Sequence, residues 1–291
     1  MEVLVVLLIV SSFVLLGLFA LPRQRETART VGCRRNLMQV GVALVLFDRD
    51  QGHLPTIPIL GAEPKPTGGP LKALLETLTL PDLTELSAVS SPPKPRPGRA
   101  PTERAVPGFV CPSDPYALTG SSFRAPVSYR ASTGDATLGV NGGFAPGRRV
   151  TLREIEDGDG LGFTAAFSER LLGRSGTDQG IRAYQSVRGP LDGAACPASS
   201  AGDWRRDAGS SWAEASWRST LYNHALTPNA PRSCVTTDGS AAFLGASSAH
   251  SGGIHVLLFD GGVRLVGPTI APPVWRALAT THAAPSLQES R

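Results

Sequence analysis

The sequence lacks the signatures of the common cofactor and metal sites. Neither GxGxxG nor GxxxxGK[ST] occurs between a predicted strand and a predicted helix, and HExxH is absent. No cofactor is therefore predicted. Charged residues are few, at 18%, whereas the 291 residues include 32 glycines and 25 prolines. This composition argues against a helical bundle and favours a loop-rich domain, for which the chain is long enough.

Cysteine is also scarce, with four residues in all: Cys33, Cys111, Cys196 and Cys234. No pair has the CxxC spacing, so the sequence predicts neither a zinc site nor a redox motif. An even number suits disulfides in an oxidising compartment, and three pairings are open. We expect Cys33–Cys111, which would tie an N-terminal helix to the domain, and Cys196–Cys234. The alternative is four buried thiols in a reducing compartment.

Positive charge is not concentrated enough to predict a nucleic-acid partner. The net charge is +4 and the pI about 9.1, with basic residues spread along the chain. The exception is a group of arginines between Arg23 and Arg35. It directly follows an apolar stretch, where basic side chains are typical of a membrane edge, so we predict no nucleic-acid binding.

That apolar stretch, from Val3 to Leu21, contains no charged residue. At about 1.5 Å per residue it is just long enough to cross a bilayer core of about 30 Å, so residues 1–21 are predicted to be a transmembrane anchor. A cleaved signal peptide is the alternative, but the run is long for a signal core and ends without a clear A-x-A site.

The helical pattern continues beyond the anchor. An apolar stripe with steps of three to five residues predicts that 22–51 extends the same helix and packs on a soluble domain. The stripe consists of Ala28, Cys33, Leu37, Val40, Leu44 and Phe47. We predict a globular domain over 52–280 and a disordered tail over 281–291.

The N-terminal segment resembles a known family. Glu2 followed by VLVVLLIV resembles the start of a type IV pilin or pseudopilin after its cleavage site, and Leu21–Pro55 is similar to a bacterial group of pseudopilin-like proteins with a prepilin-type N-terminus. These proteins also carry a C-terminal H-X9-DG domain of unknown function, which matches His250, Asp260 and Gly261. No basic leader precedes Met1, so we expect either a true start further upstream or loss of processing.

The resemblance implies a pilin-like fold and a structural role. In pilins the transmembrane helices bundle, and a glutamate near the start neutralises the N-terminal amine of a neighbour, which implies that role for Glu2. The fold expectation is α+β, with the long N-terminal helix packed on an antiparallel sheet.

The H-X9-DG motif is predicted to form a hairpin. Ile254–Phe259 and Val263–Val266 would be antiparallel strands joined by a two-residue turn at Asp260-Gly261. That turn pairs Leu258 with Val263 and Val256 with Leu265, and we expect all four to be buried. His250 and Asp260 would lie about 33 Å apart, too far to form one acid–base pair or one metal site.

Three further segments contain residues that could bind a metal, form an ion pair or act in catalysis. Asp157 and Asp159 are weak calcium candidates, and we favour a simple turn there because the EF-hand spacing is incomplete. The core strand within Phe163–Leu172 contains Glu169-Arg170, for which an ion pair is expected. Tyr222-Asn223-His224 resembles an active-site loop, but no nucleophile motif accompanies it, so a structural loop is preferred.

Two functions from different classes remain. The preferred one is a non-catalytic, membrane-anchored, pseudopilin-like structural protein with its domain outside the cytoplasm. Its partners would be the membrane and other pilin-like subunits of a secretion- or pilus-like assembly. The alternative is an anchored extracytoplasmic binding module or enzyme that keeps only a pilin-like insertion segment.

Overall fold

The computed structural model describes the backbone of residues 2–61, 68–77, 104–117, 123–174, 180–191, 196–197 and 203–282. In the first helix it describes the side chains of residues 3–6, 11 and 24–51. The density of proline over 88–108 predicts a loop, of which 88–103 lies outside these residues; the predicted disordered tail over 281–291 lies outside them from residue 283 onwards.

Helix α1, Glu2–Gln51, is 50 residues long. Its predicted stripe is confirmed from Cys33 onwards, since Cys33, Leu37, Val40 and Leu44 are at most 4% exposed. Ala28 is exposed, contrary to the prediction, because the helix face that meets the domain passes through Glu26 and Thr30 at that level. Among the described residues, no helix combines the length and hydropathy that crossing a membrane requires.

In the part of the chain that the structure describes, nine strands form two sheets. The strands are β1 Tyr129–Ser132, β2 Ala165–Glu169, β3 Tyr184–Val187, β4 Asp203–Arg205, β5 Leu221–Tyr222, β6 Cys234–Thr236, β7 Ala242–Phe243, β8 Ile254–Leu258 and β9 Val263–Val266. One sheet has the order β5-β1-β2-β8-β9 and the other β4-β3-β6-β7. A purely antiparallel sheet was predicted, and this is wrong: β1 pairs with β5, and β3 with β6, in parallel. Long connections separate both pairs, as parallel pairing requires.

The C-terminal part of α1, residues 24–51, packs on the five-stranded sheet, mainly against β8 and also against β2 and β9. A Cβ at Gly41 would lie 3.0 Å from Leu257 Cδ1 and 3.4 Å from Gly261 Cα. Glycine therefore lets the helix approach the β8–β9 hairpin closely. The main core lies in this layer and includes Leu37, Leu44, Phe144, Phe167, Leu257 and Phe259.

The β8–β9 hairpin is antiparallel as predicted, but its predicted register is wrong by one residue. Leu257 faces Val263, and His255 faces Leu265. The Gly261 amide donates to the Leu258 carbonyl, and Gly261 has φ +83°. The connection is thus a turn followed by a left-handed glycine, which inserts one more residue than a two-residue loop. As a result Val256 and Leu258 are buried, whereas Leu265 is 54% exposed.

Local patterns predict several further elements: short helices over 70–80 and 272–279 that start with proline, a helix capped by Thr151 that ends near Glu156, and a short strand that starts at Phe109. The short helices lie where they are predicted. They are α2 Pro70–Thr77, α3 Leu152–Asp157 and α4 Pro272–Ala277. Thr151 caps α3 by accepting a hydrogen bond from the Glu154 amide at 3.0 Å. Phe109 was predicted to start a strand, but Pro107–Phe109 forms a 3-10 turn instead, consistent with proline at its first position.

Candidate functional site

A buried cluster of ionisable groups and sulfur lies where α1 meets the five-stranded sheet. We call it the His250 cluster, and its members are Glu26, Cys33, Cys111, Glu169, His250 and His255. Glu26 and Cys33 are seven residues apart on α1 and so share one face. Cys111 follows the 3-10 turn, Glu169 ends β2, and His255 lies on β8 just beyond the bend that holds His250. Four distant segments of the chain thus converge.

His250 bridges two carboxylates. Its Nδ1 lies 2.9 Å from Glu26 Oε1, and its Nε2 lies 3.3 Å from Glu169 Oε1. Nδ1 donates a hydrogen bond to the Glu26 carboxylate, and the Glu169 carboxylate lies within ion-pair distance of Nε2, so negative charge on both sides of the ring favours the imidazolium form. Burial lowers the pKa of His250, but the bonds and charges of Glu169 and Glu26 outweigh it and raise the pKa above its ordinary value.

Glu169 is the centre of the cluster and is almost inaccessible, with a side chain 2% exposed. Besides His250, it accepts from His255 Nδ1 at 3.1 Å and from the His255 amide at 3.0 Å. Burial raises the pKa of Glu169, but these hydrogen bonds and the histidine charges prevail and lower the pKa to about 2. The carboxylate is therefore ionised throughout the physiological range.

Glu169 and Arg170 were expected to form an ion pair, and this is wrong. Arg170 instead donates to the carbonyls of Gly245 at 2.6 Å and Ala183 at 3.3 Å. Successive residues of a strand point to opposite faces, so the two neighbours face different layers. Both side chains are nevertheless buried, as the prediction allowed.

Both predicted disulfides are confirmed. The Cα atoms are 5.2 Å apart in Cys33–Cys111 and 5.8 Å apart in Cys196–Cys234, within the range that a bridge requires. The first bridge joins α1 to the domain inside the His250 cluster. Cys111 Sγ lies 3.6 Å from both Glu169 Oε1 and His250 Nε2.

Sequence reasoning missed this cluster. In the described residues, Cys33, Cys111, Glu169 and His250 present ligand atoms that all lie within 4.8 Å of one another. The two sulfur atoms are joined in a disulfide, so in this form they are not thiolate ligands. No short motif signals the cluster, since its members are scattered from residue 26 to residue 255. Four of them were identified from the sequence only separately: Cys33 and Cys111 as a disulfide, Glu169 in an ion pair, and His250 in the H-X9-DG motif.

The two ends of the H-X9-DG motif have different partners. His250 belongs to the buried cluster, whereas Asp260 is exposed and its Oδ1 accepts from the Gly262 amide at 2.7 Å. Asp260 and Gly261 thus shape the hairpin turn described above. The motif as a whole places a histidine with ionic contacts before β8 and a tight turn after it.

The weak calcium candidates are directed to different partners. Asp157 lies 3.7 Å from Arg153 on the exposed side of α3. Asp159 Oδ2 accepts from the Thr280 hydroxyl at 2.7 Å. These contacts fit the turn that we preferred for this segment. The side chain of Glu2, the predicted assembly residue, lies outside the described residues.

The loop at Tyr222-Asn223-His224 is a buried hydrogen-bonded corner. His224 Nδ1 lies 2.7 Å from the Trp275 carbonyl, and Nε2 lies 2.9 Å from the Tyr222 hydroxyl. The His224 ring stacks on Trp275 with centroids 3.7 Å apart. Burial lowers the pKa of His224 to about 3, although the bond to the carbonyl opposes this. The side chain is a neutral structural group, which agrees with the preference for a structural loop.

Comparison with known proteins gives one family. A family model described as "Protein of unknown function (DUF1559)" matches residues 22–272. Neither the curated proteins nor the solved structures give a match.

Proposed function

We propose that this chain, which belongs to the DUF1559 family of proteins of unknown function, is a membrane-anchored, pseudopilin-like structural subunit. Its partners would be the membrane and other pilin-like subunits of a secretion- or pilus-like assembly, with the domain outside the cytoplasm. The observation that carries the proposal is the 50-residue helix α1: residues 24–51 pack on the domain, whereas the described side chains of Val3, Leu4, Val5 and Val6 are exposed.

The N-terminal part of α1 supports an anchor. Val3, Leu4, Val5 and Val6 are between 56% and 73% exposed, and the run without charged residues continues to Leu21. A row of exposed apolar side chains on a helix calls for lipid or for other helices around it. A bundle of such helices is the arrangement that the pilin resemblance implies, with Glu2 placed to neutralise a neighbouring amine.

The way in which α1 is joined to the domain supports the role of a structural subunit. Cys33–Cys111 joins α1 covalently to the domain, and Glu26 and His250 add an ionic contact two turns away. Disulfides are typical of proteins outside the cytoplasm. A helix held this firmly would transmit force from an assembled bundle to the exposed domain.

The His250 cluster favours a structural over a catalytic role. The side chains of Glu169, His250 and His255 are 2% to 4% exposed, and each is directed at partners within the protein. A catalytic group must reach a substrate within hydrogen-bonding distance. The described geometry leaves little access to these atoms, so we assign them to fixing the helix.

The anchor is tested by fractionating cells that express the full chain. Alkaline carbonate should leave the wild-type protein in the membrane pellet, because a spanning helix resists extraction. A variant with Leu8→Arg and Leu15→Arg should move to the soluble fraction. Recovery of the wild type in the soluble fraction would refute the anchor.

Assembly is tested by cysteine cross-linking in the membrane. Val5→Cys, on the exposed part of α1, should give disulfide-linked dimers, and Glu2→Ala should reduce them. Val274→Cys is the matched control, since Val274 is 55% exposed but lies on the domain. A protein that stays anchored yet shows no Val5→Cys dimers would favour the alternative of an anchored binding module or enzyme.

A further inference from the structure

The Cys33–Cys111 bridge lies among groups that together form a metal-ligand set. Cys33, Cys111, Glu169 and His250 offer two sulfurs, one carboxylate oxygen and one imidazole nitrogen, all mutually within 4.8 Å. Thiolate, imidazole and carboxylate are the three side-chain ligand types of zinc. Since no two of these residues are close in sequence, the fold alone assembles the set.

Three of the six distances between the ligand atoms match the edges of a zinc tetrahedron. Zinc bonds of about 2.3 Å to sulfur and about 2.0–2.2 Å to nitrogen and oxygen place ligand atoms about 3.4–3.6 Å apart. Cys111 Sγ lies 3.6 Å from His250 Nε2 and 3.6 Å from Glu169 Oε1. His250 Nε2 lies 3.3 Å from Glu169 Oε1. Cys33 Sγ lies within 4.8 Å of the other ligand atoms, and it would move to about 3.8 Å from Cys111 Sγ once their bond is broken.

The groups behind these ligands are arranged as in metal sites. His250 presents Nε2 to the set, while its Nδ1 donates to Glu26 Oε1 at 2.9 Å. Glu26 is itself held by the Ser113 hydroxyl at 2.9 Å. A carboxylate on the far nitrogen of a histidine fixes its tautomer and raises its strength as a ligand. The far oxygen of Glu169 is fixed by the His255 amide at 3.0 Å.

Once the Cys33–Cys111 bridge is opened, the negative charges of the site favour the binding of a cation. If both thiols then lost their protons without a metal, two thiolates would lie beside the Glu169 carboxylate in a site where the ligand residues are buried. Buried like charges are strongly unfavourable unless a cation compensates them. A zinc ion coordinated by all four ligands supplies that compensation and uses the space released by the two sulfurs.

We propose that the reduced form of this protein binds one zinc ion through Cys33, Cys111, Glu169 and His250. The disulfide in the oxidised form and the metal in the reduced form each hold α1 against the domain. A dithiol supplies two electrons and two protons to the Cys33–Cys111 bond and becomes a disulfide. The zinc ion then displaces both thiol protons and the Nε2 proton of His250 to solvent. In the reverse step a small-molecule disulfide accepts two electrons from the two thiolates and two protons from solvent and becomes a dithiol, which restores the Cys33–Cys111 bond and releases the metal.

The second disulfide provides a built-in control. Cys234 packs in an apolar cluster with Val187, Leu191 and Phe243. No histidine or carboxylate joins it in a ligand set among the described residues. Reduction of Cys196–Cys234 therefore exposes two thiols without completing a site.

The experiment uses the full chain in detergent, reduced with dithiothreitol that is then removed under argon. We expect the reduced chain to retain one zinc per chain after gel filtration, and the oxidised chain none. With cobalt in place of zinc, the reduced chain should show the visible bands of a tetrahedral thiolate site. The Cys196→Ser, Cys234→Ser double variant should behave as the wild type, and Cys33→Ser, Cys111→Ser should bind nothing.

Two further measurements test the role of Glu26 and the folding of the reduced chain. Glu26→Gln should weaken zinc binding by about 10- to 100-fold with an unchanged cobalt spectrum, because Glu26 positions His250 without touching the metal. Circular dichroism of the reduced chain with and without zinc reports whether it is folded. A reduced chain that retains no zinc, whether folded or unfolded, would overturn the proposal. Equal binding by the oxidised chain or by Cys33→Ser, Cys111→Ser would do the same.

Discussion

Two buried histidines, His250 and His224, have opposite surroundings. His250 is 6% exposed and lies between the carboxylates of Glu26 and Glu169, which raise its pKa despite burial. His224 is 0% exposed and lies between a hydroxyl and a carbonyl, so that burial lowers its pKa to about 3. Burial is common to both. The difference shows that charged partners can outweigh the effect of burial on the charge of a histidine.

The same difference gives the two sites opposite roles. The His250 cluster joins distant parts of the chain through charge and a covalent bond, at the junction of α1 with the sheet. The His224 corner joins β5 to α4 through neutral hydrogen bonds and stacking on Trp275. Changes that remove charge should therefore affect the first site most, whereas changes that remove neutral polar atoms should affect the second.

The largest effect is expected from Glu169→Gln. The change leaves the buried His250 cation with only the half-exposed Glu26, and it places an amide donor against a donor of His255. Breaking a buried charge pair from one side typically costs about 3–5 kcal/mol. Urea unfolding at pH 6.5 should show this loss. Glu156→Gln, on the exposed side of α3, is the control and should change stability by less than about 0.5 kcal/mol.

A smaller effect is expected from His224→Phe. The ring keeps its size and its stacking on Trp275, but the Trp275 carbonyl and the Tyr222 hydroxyl lose their partner. Unsatisfied buried polar groups cost about 1–3 kcal/mol each, so we expect a loss of about 2–3 kcal/mol in the free energy of unfolding. A neutral result would mean that the corner contributes little and would weaken the comparison.

The pH dependence of wild-type stability should separate the two histidines. The pKa of His250 is raised, so its contribution is complete below its ordinary value of about 6.5 and is lost as pH rises through the higher folded value. The pKa of His224 is lowered to about 3, so its contribution is complete above about 6.5 and is lost as pH falls towards 3. Glu169, with a pKa of about 2, adds to the acid loss below about 4.5.

Unfolding curves measured from pH 4 to pH 9 should therefore show greatest stability near pH 6.5, since the two histidine contributions are complete on opposite sides of that value. His224→Phe should flatten the part between about pH 6.5 and pH 4.5, whereas His250→Gln should flatten the alkaline side. If His250→Gln instead altered only the acid side, the assignment of an imidazolium to His250 would be wrong.

The smallest effect is expected from Glu26→Gln. The side chain is 38% exposed, so solvent screens its charge, and an exposed pair contributes at most about 1 kcal/mol. Stability at pH 6 should fall by less than that amount, and the alkaline loss should begin at a lower pH because His250 keeps only one carboxylate. Arg29→Gln is the control, since Arg29 lies 3.9 Å from Glu26 but does not contact the ring of His250. Its alkaline profile should match the wild type.

Local patterns predicted most of the individual elements. The cap at Thr151, the proline-started helices α2 and α4, and the strands β8 and β9 follow from residue preferences over a few positions. The hairpin register was wrong because the left-handed Gly261 added one residue to the turn. The second sheet was missed, because strands of two to four residues leave too short a periodic pattern to recognise.

The sequence by itself determined which face of α1 would be buried, and it indicated disulfides while leaving three pairings open. Helical spacing defines the face from Cys33 to Leu44, and only an even cysteine count outside a CxxC motif suggested bridges. Tertiary structure alone decided what surrounds each histidine and each bridge. Glu26, Cys111, Glu169 and His250 are separated by dozens of residues, and their contacts arise only when α1 packs on the sheet. Charge state and ligand geometry depend on those contacts, and no local pattern encodes them.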